Sequence, residues 1–303
     1  MRRWIVESFG EPEDVWRLED NAESFEPAPG QVKIKVEAAG LGLPDVLMCH
    51  NNYPLTPPLP FTPSQEAAGE VVAVGESVDD ALLGTRVLGP TLFQAQRGGL
   101  ADECLMHAAG ALPIPDEMSG VEAAGFFIPY QTAWVALVRR AQINTEDTLL
   151  VLGASGSSGC AAVQLAKAKG ARVIAVAGGP EKSAFCKRIG ADAVIDRRQQ
   201  DITEAALQLT DGRGVSMVYD PVGGKAGRAA FKAIADQDIT LDDLVTPNHV
   251  IERHPEILNS ARLRYLLRER DNNGLVESGA VMQKGRRLII AVPRFLKWLA
   301  VTD

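Results

Sequence analysis

Between an apolar run, Thr148-Leu149-Leu150-Val151-Leu152, and an alanine-rich segment, the chain inserts Gly153-Ala154-Ser155-Gly156-Ser157-Ser158-Gly159. No other stretch limits the fold so strongly. A buried strand that turns on glycines straight into a helix belongs to a parallel sheet with helical crossovers. The residues beyond keep that rhythm: a helix over 159–169, a stop at Gly170, a strand over 172–177 and a helix over 181–188. Further strands are expected at 193–195 and 215–219. Glycines at such a turn let backbone N–H groups approach a diphosphate, whose charge the positive end of the helix favours. A glycine pattern alone also occurs in ordinary turns; the strand before it and the helix after it give this one its meaning.

The end of the second strand then bears on the ligand. A site selective for NAD usually puts an acidic residue there to hold the ribose hydroxyls. This chain has Gly178-Gly179 instead, with Lys182 following and Arg197 after the third strand. Those cations suit a 2′-phosphate, so NADPH is the expected cofactor. Two solvated surface charges are the plainer reading of the same residues.

Upstream the pattern is different. Val32-Lys33-Ile34-Lys35-Val36 alternates as a half-buried strand does. Residues 51–63 hold five prolines and read as an extended loop. Strands are expected at 70–75, 86–88 and 103–106. A length of 303 residues suits two domains. With 31 basic against 39 acidic residues, the net charge of −8 argues against nucleic-acid or membrane-surface binding. Neither a signal peptide nor a spanning segment is visible, so a cytoplasmic protein acting on small molecules is expected.

Metal and nucleophile chemistry find little support. Cys49, Cys104, Cys160 and Cys186 are scattered without a CxxC spacing and read as packing thiols, although Cys160 falls at a helix start that can lower a thiol pKa. His50, His107, His249 and His254 form no arrangement of a hydrolytic triad.

Several stretches, taken in order, resemble the zinc-independent quinone oxidoreductase (zeta-crystallin-like) branch of the medium-chain dehydrogenase/reductase family. They are Ala38-Ala39-Gly40 through Asp45, Tyr53-Pro54 with its proline loop, and Pro63-Ser64-Gln65-Glu66-Ala67-Ala68-Gly69. Gly98-Gly99-Leu100-Ala101-Asp102-Glu103, Thr132-Ala133-Trp134, the glycine turn and Asp220-Pro221-Val222-Gly223-Gly224 follow. The resemblance spans about residues 1–235. It implies an α/β protein with a GroES-like β-barrel catalytic domain over 1–122 and a Rossmann-type doubly wound parallel sheet over 123–235. The active site would lie between them. Zinc-dependent relatives carry a histidine where Gln65 precedes Glu66, and a cysteine after Ala38-Ala39-Gly40 that is missing here. No metal is expected.

By the same resemblance, Ser155, Gly156, Ser157 and Ser158 wrap the diphosphate, and Gly178, Lys182 and Arg197 face the adenosine phosphate. Thr132 and Val222 lie near the nicotinamide. Tyr53 corresponds to a tyrosine at the active-site mouth, able to orient a carbonyl or donate a proton; an aromatic packed on the proline loop fits it equally. Asp45 corresponds to an aspartate of the same cleft, and a helix cap fits it as well. Gly42 stands where many relatives have an asparagine. The implied activity is hydride transfer from NADPH to a small acceptor, a quinone first and an activated C=C bond of an enone or enoyl thioester second. The implied assembly is a homodimer.

From Asp236 onward the family's strand, glycine-rich turn and return segment are not recognisable. Residues 236–303 are therefore expected to be a divergent tail or the product of an altered reading frame, leaving the sheet short. Residues 262–270 read as a basic helix and 287–292 as a strand. A non-catalytic nucleotide-binding protein is the reading that follows if this tail disables the site.

Overall fold

Alternation in the first third and glycine-punctuated apolar runs in the second produce two separate β architectures. The computed structural model describes residues 1–235, 244–245, 247–253, 259–278, 280–284 and 287–302. Asp236 and His254 lie outside the described residues. The chain divides into two compact units, Met1–Ala136 and Leu137–Asp303.

The first unit opens with β1 (Arg3–Val6), a four-residue helix α1 (Pro12–Val15) and β2 (Trp16–Glu19), the two strands pairing antiparallel. Its main sheet contains β3 (Gln31–Gly40), β4 (Glu66–Val74), β5 (Arg86–Pro90), β6 (Glu103–His107) and β7 (Leu112–Pro113). All its pairings are antiparallel, in the order β6-β3-β4-β5-β7. Strand β3 runs four residues past the expected end at Val36. Register shifts between Lys33 and Ile34 and between Val36 and Ala38 break the alternation without ending the pairing. Val32, Ile34, Ala67, Val71, Val87, Cys104 and Met106 form the core of this sheet. Helix α2 (Leu43–Cys49) follows β3; α3 (Gly120–Ala124) and α4 (Phe127–Ala133) come after β7. Helix α4 continues as a π-helical stretch, Trp134–Arg140. Ser119 and Glu122 close α3 with a reciprocal capping box.

The second unit carries the expected parallel sheet. Strands β8 (Thr148–Val151), β9 (Arg172–Ala177), β10 (Ala193–Asp196) and β11 (Met217–Tyr219) lie in the order β10-β9-β8-β11. Helices α5 (Ser157–Ala168), α6 (Pro180–Arg188), α7 (Ile202–Leu209) and α8 (Gly224–Lys232) connect and follow them. Residues on both faces of β8 and β9 are buried, as a sheet with crossover helices requires. Leu150, Leu152, Ile174, Val176 and Ile195 pack with Ile202, Ala205 and Ala206 of α7. Each of the larger side chains contributes about 2 kcal/mol by leaving water. Beyond β11 the sheet gains a single parallel bridge, Val215 to Ile234.

The tail supplies further structure. Strands β12 (Leu244–Val245), β13 (Val281–Lys284) and β14 (Arg287–Ala291) make an antiparallel sheet in the order β12-β14-β13. With α9 (Pro247–Arg253), α10 (Ser260–Arg268) and α11 (Val292–Thr302) it encloses its own core, including Val250, Leu263, Leu275, Ile290 and Phe295. Helix α11 packs against α8, and Lys297 Nζ donates to the Ile234 carbonyl at 2.6 Å. The basic helix and the late strand are thus present, in a separate sheet rather than the parallel one. Among the described residues no helix is long and apolar enough to cross a membrane.

Candidate dinucleotide site

Parallel strands align their carboxyl ends, and in open α/β sheets ligands bind there. In the second unit those ends are Val151, Ala177, Asp196 and Tyr219. Beyond Val151 the chain turns through Gly153 at φ +58°. The Gly156 N–H donates to the Gly153 carbonyl at 2.9 Å, and the first bond along α5 runs from Cys160 N–H to Gly156 O at 2.8 Å. The amides of Ser157, Ser158 and Gly159 precede that bond and open at the helix's positive end. Gly159 has no room for a side chain: a Cβ would lie 2.3 Å from Gly153 O and 2.8 Å from Ala154 Cα. A Cβ on Gly156 would meet only Gly153 O, at 3.3 Å. The outcome is a shelf of backbone amides at a helix start, exposed at Gly156 and Ser157, with no side chain beyond the serines to keep a diphosphate away.

Side chains complete it. Ser158 Oγ and Tyr219 Oη share a 2.5 Å hydrogen bond, which ties the end of β11 to α5 and leaves the Ser158 amide for a ligand. Val222 lies over the turn, its Cγ2 3.0 Å from where a Gly153 Cβ would stand. Asp220 Oδ1 holds that loop by accepting from Val222 N–H at 2.8 Å and Gly223 N–H at 2.7 Å. Ser155 is half-buried within the turn, and Ser157 is exposed at its rim.

At the end of β9, Gly179 adopts φ +91° and ψ 164°, a conformation that excludes ordinary side chains. Two guanidinium groups lie over this shelf. A Cβ on Gly178 would be 3.3 Å from Arg198 Nε and 3.4 Å from Arg197 Nε; one on Gly179 would be 3.2 Å from an Arg198 terminal nitrogen. Both arginines are exposed, and neither forms an ion pair among the described residues. Lys182 is exposed on the first turn of α6. Arg198 was not expected; its signal in the sequence is only its position beside Arg197.

The remaining candidates belong to the first unit. Asp45 is 3% exposed on α2, and both its oxygens are engaged: Oδ1 accepts from Ser64 N–H at 2.7 Å and Oδ2 from Gly42 N–H at 2.9 Å. Burial raises its pKa, against the pull of those bonds. This geometry is that of a buried cap. Tyr53 packs against the cluster of Val6, Met48, Cys49 and Phe61, and its hydroxyl has no hydrogen-bond partner among the described residues. Thr132 is exposed on α4 and donates its hydroxyl to Ile128 O at 2.7 Å, keeping its lone pairs free to accept. Gln65 is buried with its Nε2 unsatisfied.

Glu66, quoted in the sequence only as part of a motif, is the most perturbed carboxyl here. Its Oε2 accepts from Ile128 N–H at 2.8 Å, fastening β4 to the start of α4. Burial, with the nearby Asp45 adding to it, pushes its pKa up to about 7.

Comparison with known proteins agrees with both halves. Residues 28–142 match the alcohol dehydrogenase GroES-like domain, and residues 159–238 match the family described as zinc-binding dehydrogenase. Over 219 residues the chain is 36% identical to Quinone oxidoreductase-like protein 2 homolog of Nematostella vectensis, which covers 72% of this chain and 59% of that protein. The chain therefore spans about three fifths of the length of the quinone oxidoreductase-like relatives it matches. Among solved structures, a quinone oxidoreductase of Pseudomonas syringae is 31% identical with a TM-score of 0.69, covering 77% of this chain and 70% of its own. A mycobacterial protein complexed with NADPH is likewise 31% identical with a TM-score of 0.69, covering 78% and 71%. With its GroES-like and Rossmann-type halves, this chain belongs to the medium-chain dehydrogenase/reductase family, in the quinone oxidoreductase branch.

Proposed function

We propose that this protein is an NADPH-dependent, metal-free oxidoreductase that reduces a small acceptor, a quinone in the first instance. The observation that carries the reading is the pair of guanidinium groups, Arg197 and Arg198, without an ion pair among the described residues, over Gly178-Gly179, where an NAD-selective site has a carboxylate. Arginine forks suit a phosphate monoester, whereas ribose hydroxyls would leave two cations without a partner. The NADPH complex of the mycobacterial relative supports the same choice.

When bound, the nicotinamide supplies the hydride. The chain's own residues do the rest. Amides of Ser157, Ser158 and Gly159 hold the diphosphate at the start of α5, and Ser155 with Gly156 keeps the turn low enough for it to approach. Gly178, Arg197 and Arg198 hold the adenosine 2′-phosphate, with Lys182 adding charge. Val222 and Thr132 border the nicotinamide. Tyr53, whose hydroxyl is uncommitted, orients the acceptor carbonyl or gives it a proton. Asp45 fixes the loop from Gly42 to Ser64 rather than touching the acceptor.

Metal-free chemistry is supported by the donor set. Gln65 and Gly42 offer no ligand of the zinc type, the oxygens of Asp45 are taken by amides, and no group of three or more His, Cys, Asp or Glu among the described residues could hold an ion.

The Arg197→Ala, Arg198→Ala double variant is expected to weaken NADPH binding about 100-fold while changing NADH binding by less than about threefold. Titrating cofactor fluorescence for both nucleotides checks it; equal losses for the two would remove the phosphate assignment. Acceptor class is tested by following NADPH oxidation with a quinone panel and an enone panel. Turnover with quinones is expected to dominate. Dominant enone turnover would move the assignment to C=C reduction, and inertness toward both would end the proposal.

A further inference from the structure

The two arginines sit on a shelf that has almost no side chains to define it. Gly178 and Gly179 leave the end of β9 to the backbone, so something else must fix the spacing between this shelf and the arginines that follow β10. Asp196 is placed to do so. Its Oδ1 accepts from Gly179 N–H at 2.9 Å and from Arg198 N–H at 3.0 Å, one donor from each loop. Its own N–H donates to Gln200 Oε1 at 3.1 Å, and its carbonyl accepts from the amides of Gln199 and Gln200, both at 2.9 Å. Beside it, Arg197 N–H donates to Ala177 O at 2.9 Å, the last backbone rung of the β9–β10 ladder. Beyond that rung, one carboxylate oxygen joins the glycine shelf to the arginine loop.

We propose that Asp196 is a positioning residue for 2′-phosphate recognition, holding Arg197 and Arg198 over Gly178-Gly179 through its two backbone hydrogen bonds. The inference rests on the NADPH reading above and deepens it. Charge is not what the role requires. A carboxylate beside a phosphate repels it, and this one is kept ionised by the Gly179 and Arg198 amides and by the adjacent guanidiniums. What the role requires is an acceptor oxygen at that point, since removing it frees two amides and lets the loops drift apart. An asparagine supplies the same oxygen without the charge.

Direct binding of NADPH, NADH and 2′,5′-ADP separates the possibilities, read by fluorescence for the reduced nucleotides and by calorimetry for the last. Asp196→Ala is expected to weaken NADPH and 2′,5′-ADP about tenfold and NADH less than about threefold. Asp196→Asn is expected to bind the two phosphorylated ligands as tightly as the wild type or more tightly. A selective loss in Asp196→Asn would overturn the proposal, and this variant decides the matter even if Asp196→Ala fails to fold. Equal losses for NADPH and NADH in Asp196→Ala would also overturn it, reducing Asp196 to a general structural residue. Wild-type protein without preference for NADPH over NADH would refute the NADPH reading itself, a result visible before any variant is made.

Discussion

Gly159→Ala is expected to destabilise the protein by about 3 kcal/mol and to lower NADPH affinity more than tenfold. The reason is local and geometric. A methyl group at this position would stand 2.3 Å from the Gly153 carbonyl oxygen and 2.8 Å from Ala154 Cα, both backbone atoms of the turn that ends β8. Neither can rotate aside as a side-chain tip would. Either α5 lifts from the sheet, losing the packing of buried Ala161, Ala162 and Ala166, or the turn moves and its amides no longer converge. Gly156→Ala provides the contrast. Its added methyl meets only one atom at 3.3 Å, so stability should fall by less than about 1 kcal/mol, in line with a changed N-cap. Its binding of NADPH should nonetheless weaken, because the methyl occupies the ligand's side of the shelf. Urea unfolding and nucleotide titration on both variants check the pair. Gly159→Ala unfolding at the wild-type midpoint would show that α5 does not depend on this close approach.

Glu66→Gln is expected to make the protein more stable at pH 8 by about 2 kcal/mol, with a gain of less than about 1 kcal/mol at pH 5. The folded-state pKa of about 7 lies above the 4.5 of an unperturbed glutamate, so the fold favours the protonated acid. Below pH 4.5 both states hold the proton, and Glu66 costs nothing. Between 4.5 and 7 only the folded state keeps it, so stability falls as pH rises. Above 7 the ionised carboxylate is carried by a buried site, and the full cost remains. The difference corresponds to about 3 kcal/mol, reduced to about 2 because the side chain is not wholly cut off from water. Glutamine keeps an acceptor for the Ile128 amide, so the link to α4 survives. Asp45, also raised by burial, contributes in the same direction and stays in both proteins. Thermal midpoints of the two proteins at pH 5, 6.5 and 8 test this; curves that run parallel across the range would place the pH dependence elsewhere.

Sequence alone conveyed the parts of this molecule that rest on short-range chemistry. The run from Thr148 to Ala177 shows its strand, turn, helix and strand because glycine spacing and apolar periodicity act over a few residues; the helix starts two residues earlier, at Ser157, and it and the first strand each end one residue sooner. Two parts of the candidate site were hidden for different reasons. Arg198 is hidden because the sequence does not say how far a strand's last residue turns the next two side chains. Asp196 and Glu66 carry no local signal, because their importance lies in partners 17 and 62 residues away, Gly179 and Ile128. The sequence fits Asp45 to either of two roles, and its hydrogen bonds to Gly42 and Ser64 favour the cap. In the tail, the pattern of 287–292 announced a strand but not its partner; antiparallel pairing with β12 and β13 depends on segments far from it.

Each compact unit is written as one uninterrupted stretch of sequence, with a single passage of backbone between Ala136 and Leu137. This bears on the order of events during synthesis. Every strand of the five-stranded antiparallel sheet has been synthesised before translation reaches the nucleotide-binding half. Its hydrophobic interior can therefore close while the second half is still being made, needing no strand from that half to complete its sheet.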